Sequence, residues 1–177
     1  GMVAVLGSTV EIIEKILRDN GQNSNTQIAN DNSESQIVLS GNLDDLDKLI
    51  LVLKENDIKN VKLPVSAPFH SSLMCNATAI MSEKLNNLNF DQGENKLISN
   101  VTAKEISNVD ELKDLLITQI EHRVRWRESV INMINYGVNH FIEIGPGKVL
   151  SGLVKRINKE VKINTINNQG DIETLEI

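Results

Sequence analysis

Gln27-Ile28-Ala29-Asn30-Asp31-Asn32-Ser33-Glu34-Ser35-Gln36-Ile37-Val38-Leu39 holds two short runs suited to strands, 27–30 and 36–39, around a polar segment. The spacing predicts two strands joined by the turn Asp31 to Ser35. Each side of this pair carries one helix and one further strand. Upstream, Met2 to Leu6 reads as a short buried strand. Ser8-Thr9 then supplies a helix cap with Glu11 as an early acidic residue, and Val10, Ile13, Ile16 and Leu17 recur at helical spacing up to the stop at Asn20-Gly21. Downstream, Asn42 or Asp44 caps a second helix with Leu43, Leu46, Leu49, Ile50 and Leu53 on one side, and Val61 to Val65 closes the set as a strand. The order β-α-β-β-α-β over residues 1–63 is the split-βαβ, ferredoxin-like pattern, and it predicts a small subdomain there. A fold pattern of this kind says little about function.

Residues 64–177 read as α/β. Leu73, Ala77, Ile80, Met81 and Leu85 support a helix from about Ser71 to Asn86, and Leu97 to Asn100 reads as a strand. Leu112, Leu115, Leu116 and Ile120 place a helix over 110–121, and another is expected from Trp126 to Asn135. Phe141 to Ile144 is a short apolar strand, followed by Gly145-Pro146-Gly147-Lys148 and a helix through Arg156. The polar stretch 164–177 is expected to be partly disordered. Alternating strands and helices suggest packing around a parallel sheet, yet two strands are too few for an open one. This half therefore reads as incomplete.

At 177 residues the chain can hold one full domain, or a small domain and part of another. Hydrophobic residues make up 40% and charged residues 24%, a globular balance; with only 3% aromatics, the core must be built from Ile, Leu and Val. A net charge of −6 argues against a nucleic-acid binder. The single cysteine, Cys75, excludes an internal disulfide and a cysteine-based zinc site; it reads as a packed thiol. No apolar run reaches the length of a membrane span and no basic-plus-apolar leader is visible, so a cytoplasmic location is expected. No metal or cofactor is expected.

Between the two parts lies Leu63-Pro64-Val65-Ser66-Ala67-Pro68-Phe69-His70-Ser71-Ser72-Leu73-Met74. Both prolines restrict the residue before them to extended backbone, so the loop is stiff and His70 is presented from a fixed position. The residues leave two readings open: a general base, since imidazole titrates near neutrality, or a histidine that simply packs or caps a loop.

This segment resembles the active-site histidine segment of the bacterial malonyl-CoA:acyl carrier protein transacylases. Further segments align in the same order: Gly1 to Gly7, Ala29 to Ser33, Gln36 to Gly41, Val124 to Val130 and Ile142 to Leu150, with Leu153 to Ile157 continuing the match. The resemblance covers nearly the whole chain and is weakest over 165–177. It implies that 64–177 is the C-terminal part of a larger α/β hydrolase-like acyltransferase domain whose N-terminal part is absent. The implied reaction is a ping-pong transfer in fatty-acid biosynthesis, in which a serine takes malonyl from malonyl-CoA and passes it to acyl carrier protein. His70 matches the family's base, and Gln119 matches a glutamine whose backbone carbonyl receives the histidine Nδ1–H. On its own, Gln119 reads as a solvated helix residue. Asn32 matches a residue near the substrate pocket, although locally it reads as a turn asparagine. Phe69 resembles the bulky neighbour that favours malonyl over larger extenders; ordinary loop packing is the plainer reading.

The chain departs from the family in one respect that bears on activity. The nucleophile elbow G-x-S-x-G is absent, since no two of the ten glycines stand four positions apart. The family's oxyanion-hole segment and the arginine that pairs with the malonyl carboxylate also lie upstream of the matching region; Arg123, Arg125 and Arg127 do not take that arginine's place. The chain alone is therefore expected to be inactive, and to associate with the missing half or with itself. The alternative is a non-catalytic remnant, or a module that binds carrier protein or coenzyme. Lys155, Arg156 and Lys159 near the end of the last helix compensate its dipole, or meet the acidic carrier protein. Gly145-Pro146-Gly147-Lys148 lacks the spacing of a P-loop and reads as a tight turn. His122 and His140 read as structural or surface residues.

Overall fold

The computed structural model describes residues 1–21 and 26–175. The chain divides into two compact units, Gly1–Ser129 and Val130–Ile177. The boundary expected between residues 63 and 64 falls inside the first of them.

The first unit is built on four strands: β1 (Met2–Leu6), β2 (Thr26–Ser33), β3 (Gln36–Gly41) and β4 (Lys59–Lys62). Their order is β2-β3-β1-β4, antiparallel at every pairing. Helices α1 (Val10–Asp19) and α2 (Leu43–Glu55) cover one face. The two-residue period of the strands sorts the side chains: Val3, Val5, Ile37 and Leu39 meet Ile13, Leu17, Leu46, Leu49 and Leu53 from the helices. On the other face Met2, Ala29 and Val38 form a smaller cluster with Leu63 packed against it. Thr9 caps α1 by accepting the Ile12 N–H, and Gly21, at φ +66°, follows its C-terminal end.

The strands differ from expectation at their ends. The hairpin extends further, so that Asp31, Asn32 and Ser33 belong to β2 rather than to a turn. The register slips between Ile28 and Asn30, leaving Ala29 as a bulge on an edge strand. That edge is covered: Val124 N–H donates to the Ala29 carbonyl (2.8 Å), and Asp31 N–H donates to the Val124 carbonyl (2.9 Å). The closing strand is Lys59–Lys62 rather than Val61 to Val65, because Pro64 cannot supply a ladder N–H.

The rest of this unit comprises a 3-10 turn (Ser72–Met74), α3 (Cys75–Asn86) and α4 (Val109–Thr118). The strand expected at Leu97 to Asn100 does not form. The segment makes one bridge, Ile98 with Glu105, and Ser99 closes a tight turn, donating its N–H to the Lys104 carbonyl and accepting the Ala103 N–H. Helix α5 (Trp126–Asn135) runs through the boundary between the two units.

The second unit pairs β5 (His140–Ile144) with β6 (Lys162–Ile166) in parallel, with α6 (Val149–Ile157) between them in sequence and α7 (Gln169–Glu173) after them. The disorder expected over 164–177 is thus overturned for the described residues: Asn164 to Ile166 pair with β5, and Asn168 with Asp171 forms a capping box on α7. Residues 176–177 lie outside the described residues. Two parallel strands leave much of their apolar surface open, with Ile144 78% exposed. Among the described residues, no helix is long and apolar enough to cross a membrane.

Candidate active site

The loop that follows β4 is fixed at both ends. Leu63 N–H donates to the Met2 carbonyl (3.0 Å), and past the histidine Ser72 N–H donates to Gln27 Oε1 (2.6 Å). Inside the loop the Ser71 hydroxyl donates to the Pro68 carbonyl (2.7 Å). His70 sits between these ties at φ +58°, in the left-handed region that a bulky side chain avoids. Such a conformation costs about 1–3 kcal/mol and persists only where the surroundings impose it, a pattern concentrated at functional sites.

The half-buried ring of His70 points at the end of α4. Gln119 caps that helix, donating its N–H back to the Leu115 carbonyl (3.0 Å). Carbonyls of a last helical turn have no partner within the helix. The Gln119 carbonyl takes His70, with Nδ1 2.8 Å from the oxygen. A carbonyl can only accept, so the proton sits on Nδ1 and Nε2 carries the free lone pair. A neutral imidazole held in one tautomer can accept a proton from a nucleophile placed at Nε2.

Two cavities meet at His70. One, of about 350 Å³, is mixed in character and includes Glu14, Gln27, Ser72, Glu121 and Arg123 beside Leu17 and Ile28. The other, of about 370 Å³, is apolar and is walled by Phe69, Met74, Met81, Leu85, Leu116 and Ile120. His70, Gln119 and Phe69 are therefore brought together. Asn32 is half-buried on β2 and is not among the residues lining either cavity. Lys155 and Lys159 are exposed in the second unit, where Lys155 Nζ donates to the Lys159 carbonyl (2.7 Å); Arg156 is exposed beside them.

Arg123, Arg125 and Arg127 are engaged with carboxylates. Arg127 forks onto both oxygens of buried Asp31, from Nε at 3.0 and 3.1 Å and from Nη2 at 2.8 Å. Arg125 grips Glu128, donating Nε to Oε1 at 2.8 Å and Nη2 to Oε2. The hydrogen bonds from Arg125, with the charges of all three arginines, hold the Glu128 carboxyl below the usual carboxylate range. Arg123 lies within ion-pair distance of Glu14 (3.6 Å) and Glu128 (3.9 Å).

Other sequence-based expectations divide. Cys75 is exposed at the start of α3, contrary to the packed thiol expected, because α3 buries none of its residues. His122 Nδ1 lies 2.8 Å from the Thr118 carbonyl, and His140 Nε2 lies 2.7 Å from Asn164 Oδ1. Gly145 and Gly147 adopt φ +136° and +95°, making a tight turn between β5 and α6. The Glu143 carboxylate already caps the start of α6, accepting the N–H groups of Leu150 (3.1 Å) and Ser151 (2.7 Å). Among the described residues, no group of three or more His, Cys, Asp or Glu is placed to hold a metal ion.

No protein-family model matches the chain. Full-length relatives do. A Bacillus subtilis protein named malonyl CoA-acyl carrier protein transacylase is 38% identical over 178 residues, covering 99% of this chain and 55% of the relative. Its Synechocystis namesake is 34% identical over 176 residues, covering 99% and 58%. The crystal structure of the malonyl CoA-acyl carrier protein transacylase from Clostridium perfringens superposes with a TM-score of 0.93 at 38% identity, covering 98% of this chain and 55% of that one. The chain thus spans a little over half the length of the curated relatives it matches. On sequence and on structure it belongs with the malonyl CoA-acyl carrier protein transacylases, corresponding to a C-terminal portion of those proteins.

Proposed function

We propose that this chain supplies the general base and the small subdomain of a malonyl-CoA:acyl carrier protein transacylase of fatty-acid synthesis. The observation that carries the reading is the bond from His70 Nδ1 to the Gln119 carbonyl, which leaves Nε2 free. Residues 1–63 form a ferredoxin-like small subdomain, a reading supported by the strand order β2-β3-β1-β4 and the two helices on one face. Residues 64–177 belong to the larger acyltransferase domain, which is hydrolase-like and incomplete here.

In the proposed cycle His70 Nε2 takes the hydroxyl proton of a serine as its Oγ attacks the thioester carbonyl of malonyl-CoA. The tetrahedral intermediate collapses, the coenzyme A sulfur leaves, and the imidazolium returns the proton to it. In the second half the phosphopantetheine thiol of acyl carrier protein gives its proton to Nε2 and attacks the malonyl-serine ester. The serine oxygen leaves and is reprotonated by the same ring. Phe69, on the wall of the apolar cavity beside His70, limits the acyl group to malonyl. Asn32 contributes from β2 to the substrate side. Lys155, Arg156 and Lys159 are exposed cations suited to an acidic carrier protein.

The serine is not in this sequence, which contains no G-x-S-x-G, so the chain alone does not turn over. The elbow, the oxyanion hole and the carboxylate-binding arginine come from elsewhere, on a separate chain or on sequence beyond these 177 residues. Open apolar surface supports this: α3 buries no residue, and Ile80 is 61% exposed. The absent elbow also favours a second reading, a non-catalytic module that retains a carrier-protein or coenzyme surface.

The discriminating experiment mixes this chain with the separately expressed N-terminal portion of a full-length relative and follows radiolabelled malonyl onto the serine. Labelling that needs both chains supports the half-enzyme. Association of the chains without labelling favours the binding module.

A further inference from the structure

Resting on that reading, we propose that Asn100 is a positioning residue: it fixes Gln119, and through Gln119 the tautomer and orientation of the His70 base. Gln119 is the C-terminal capping residue of α4, where backbone carbonyls turn most readily. Its carbonyl must point at His70 Nδ1 for Nε2 to be free. The Asn100 amide donates from Nδ2 to Gln119 Oε1 at 3.1 Å and ties the side chain of the residue whose backbone does the work.

Asn100 is itself anchored. Its carbonyl accepts the Arg125 N–H (2.8 Å), one residue past Val124, which pairs with the edge of β2. The preceding Ser99 is buried and is the hub of a tight turn: its N–H donates to the Lys104 carbonyl (2.9 Å), its carbonyl accepts the Ala103 N–H (2.9 Å), and its hydroxyl accepts the Val101 N–H (3.1 Å). Asn100 thus stands on a support joined to the sheet and reaches the C-terminal end of α4. Asn100 and Gln119 share the wall of a cavity of about 150 Å³ lined mainly by leucine and isoleucine, where an amide–amide hydrogen bond is stronger than in water.

The test is made on this chain as it stands, by NMR of the His70 ring with nitrogen-15 in the imidazole. Wild type shows a proton held on Nδ1 and protected from exchange. Asn100→Ala speeds that exchange about five- to tenfold, the factor carried by one neutral hydrogen bond, and brings in the Nε2-protonated tautomer. Asn100→Asp restores the wild-type ring spectrum, because the Gln119 amide can turn and donate to a carboxylate. Gln119→Ala, which keeps the backbone carbonyl, tests the same contact from the other side and reproduces the Asn100→Ala spectrum. The double variant goes no further than either single one. An Asn100→Ala or Gln119→Ala ring identical to wild type overturns the proposal, as does an additive double variant. Since the readout is the ring itself, failure of acyl transfer in the mixed-chain experiment would leave this result standing, and the two failures are distinct.

Discussion

Arg127 and Asp31, 96 residues apart, meet in a forked ion pair whose carboxylate is only 1% exposed. With the two backbone bonds of Val124, this pair ties the start of α5 to the edge of the sheet, and the segment between holds Gln119 against His70. Removing one partner leaves an uncompensated buried charge, so Arg127→Leu is expected to cost about 3 kcal/mol. Arg127→Lys loses the fork and recovers only part of that. Replacing both residues, as Asp31→Leu with Arg127→Met, costs much less than Arg127→Leu alone. Urea unfolding of the three variants beside wild type measures this; equal losses in Arg127→Leu and the double variant would refute it.

The left-handed backbone of His70 yields a second expectation. His70→Ala and His70→Gly both remove the ring and its bond to Gln119, yet only glycine tolerates φ +58° without strain. His70→Gly should be more stable than His70→Ala by about 1 kcal/mol, the reverse of the order in an ordinary strand or helix. Thermal melts of the two proteins decide it, and a less stable glycine variant would show that the loop relaxes out of this conformation.

The four-stranded sheet and its two helices are readable from the sequence because their signals are local. Val10, Ile13 and Leu17 mark a helix face within one short window, and the alternation of Ile37, Val38 and Leu39 marks a strand between two packed surfaces. The polar strands are harder to read: Lys59-Asn60-Val61-Lys62 is an exposed edge, and Lys162 to Ile166 alternates with no fully buried residue, so neither carries a strong apolar signal. At the site, no periodicity connects His70 with Gln119. Only resemblance to known proteins points to that pair, and hydrogen bonding across 49 residues closes it. Neither Asn100 nor the Asp31–Arg127 pair is visible in the sequence. Their partners lie 19 and 96 residues away, and an asparagine in a turn or an aspartate before an asparagine reads as loop chemistry.

Glu128 gives a pH dependence with a definite sign. Its carboxyl titrates below its ordinary 4.5 in the folded chain because Arg125 hydrogen-bonds the charged form. A depressed carboxylate contributes stability that is complete above the unfolded value and is lost as pH falls through the folded one. Glu128→Gln should therefore lower stability by up to about 1 kcal/mol near pH 7, with the difference vanishing at an acidic pH well below the folded value. Urea midpoints at the two pH values measure it. A gap that persists at the lower pH would mean that the pair acts through packing rather than charge.

Open apolar surface in each unit predicts association. Ile144 on β5 and Ile80 on α3 are 78% and 61% exposed. In isolation the chain should self-associate with rising concentration, and Ile144→Asp or Ile80→Asp should shift the distribution toward monomer without lowering the melting temperature. Sedimentation velocity over a hundredfold concentration range is the measurement. A wild-type chain that stays monomeric throughout would contradict the expectation.

The central claim is that His70 serves as the base for a serine that lies outside these 177 residues. Its most direct test is the rate of malonyl transfer from coenzyme A to acyl carrier protein by this chain, by its mixture with the N-terminal portion of a relative, and by the same mixture carrying His70→Ala. The expected result is no transfer by the chain alone, transfer by the mixture, and a loss of about a hundred- to ten-thousandfold on His70→Ala. Transfer by the chain alone, or a His70→Ala mixture as fast as wild type, would contradict it.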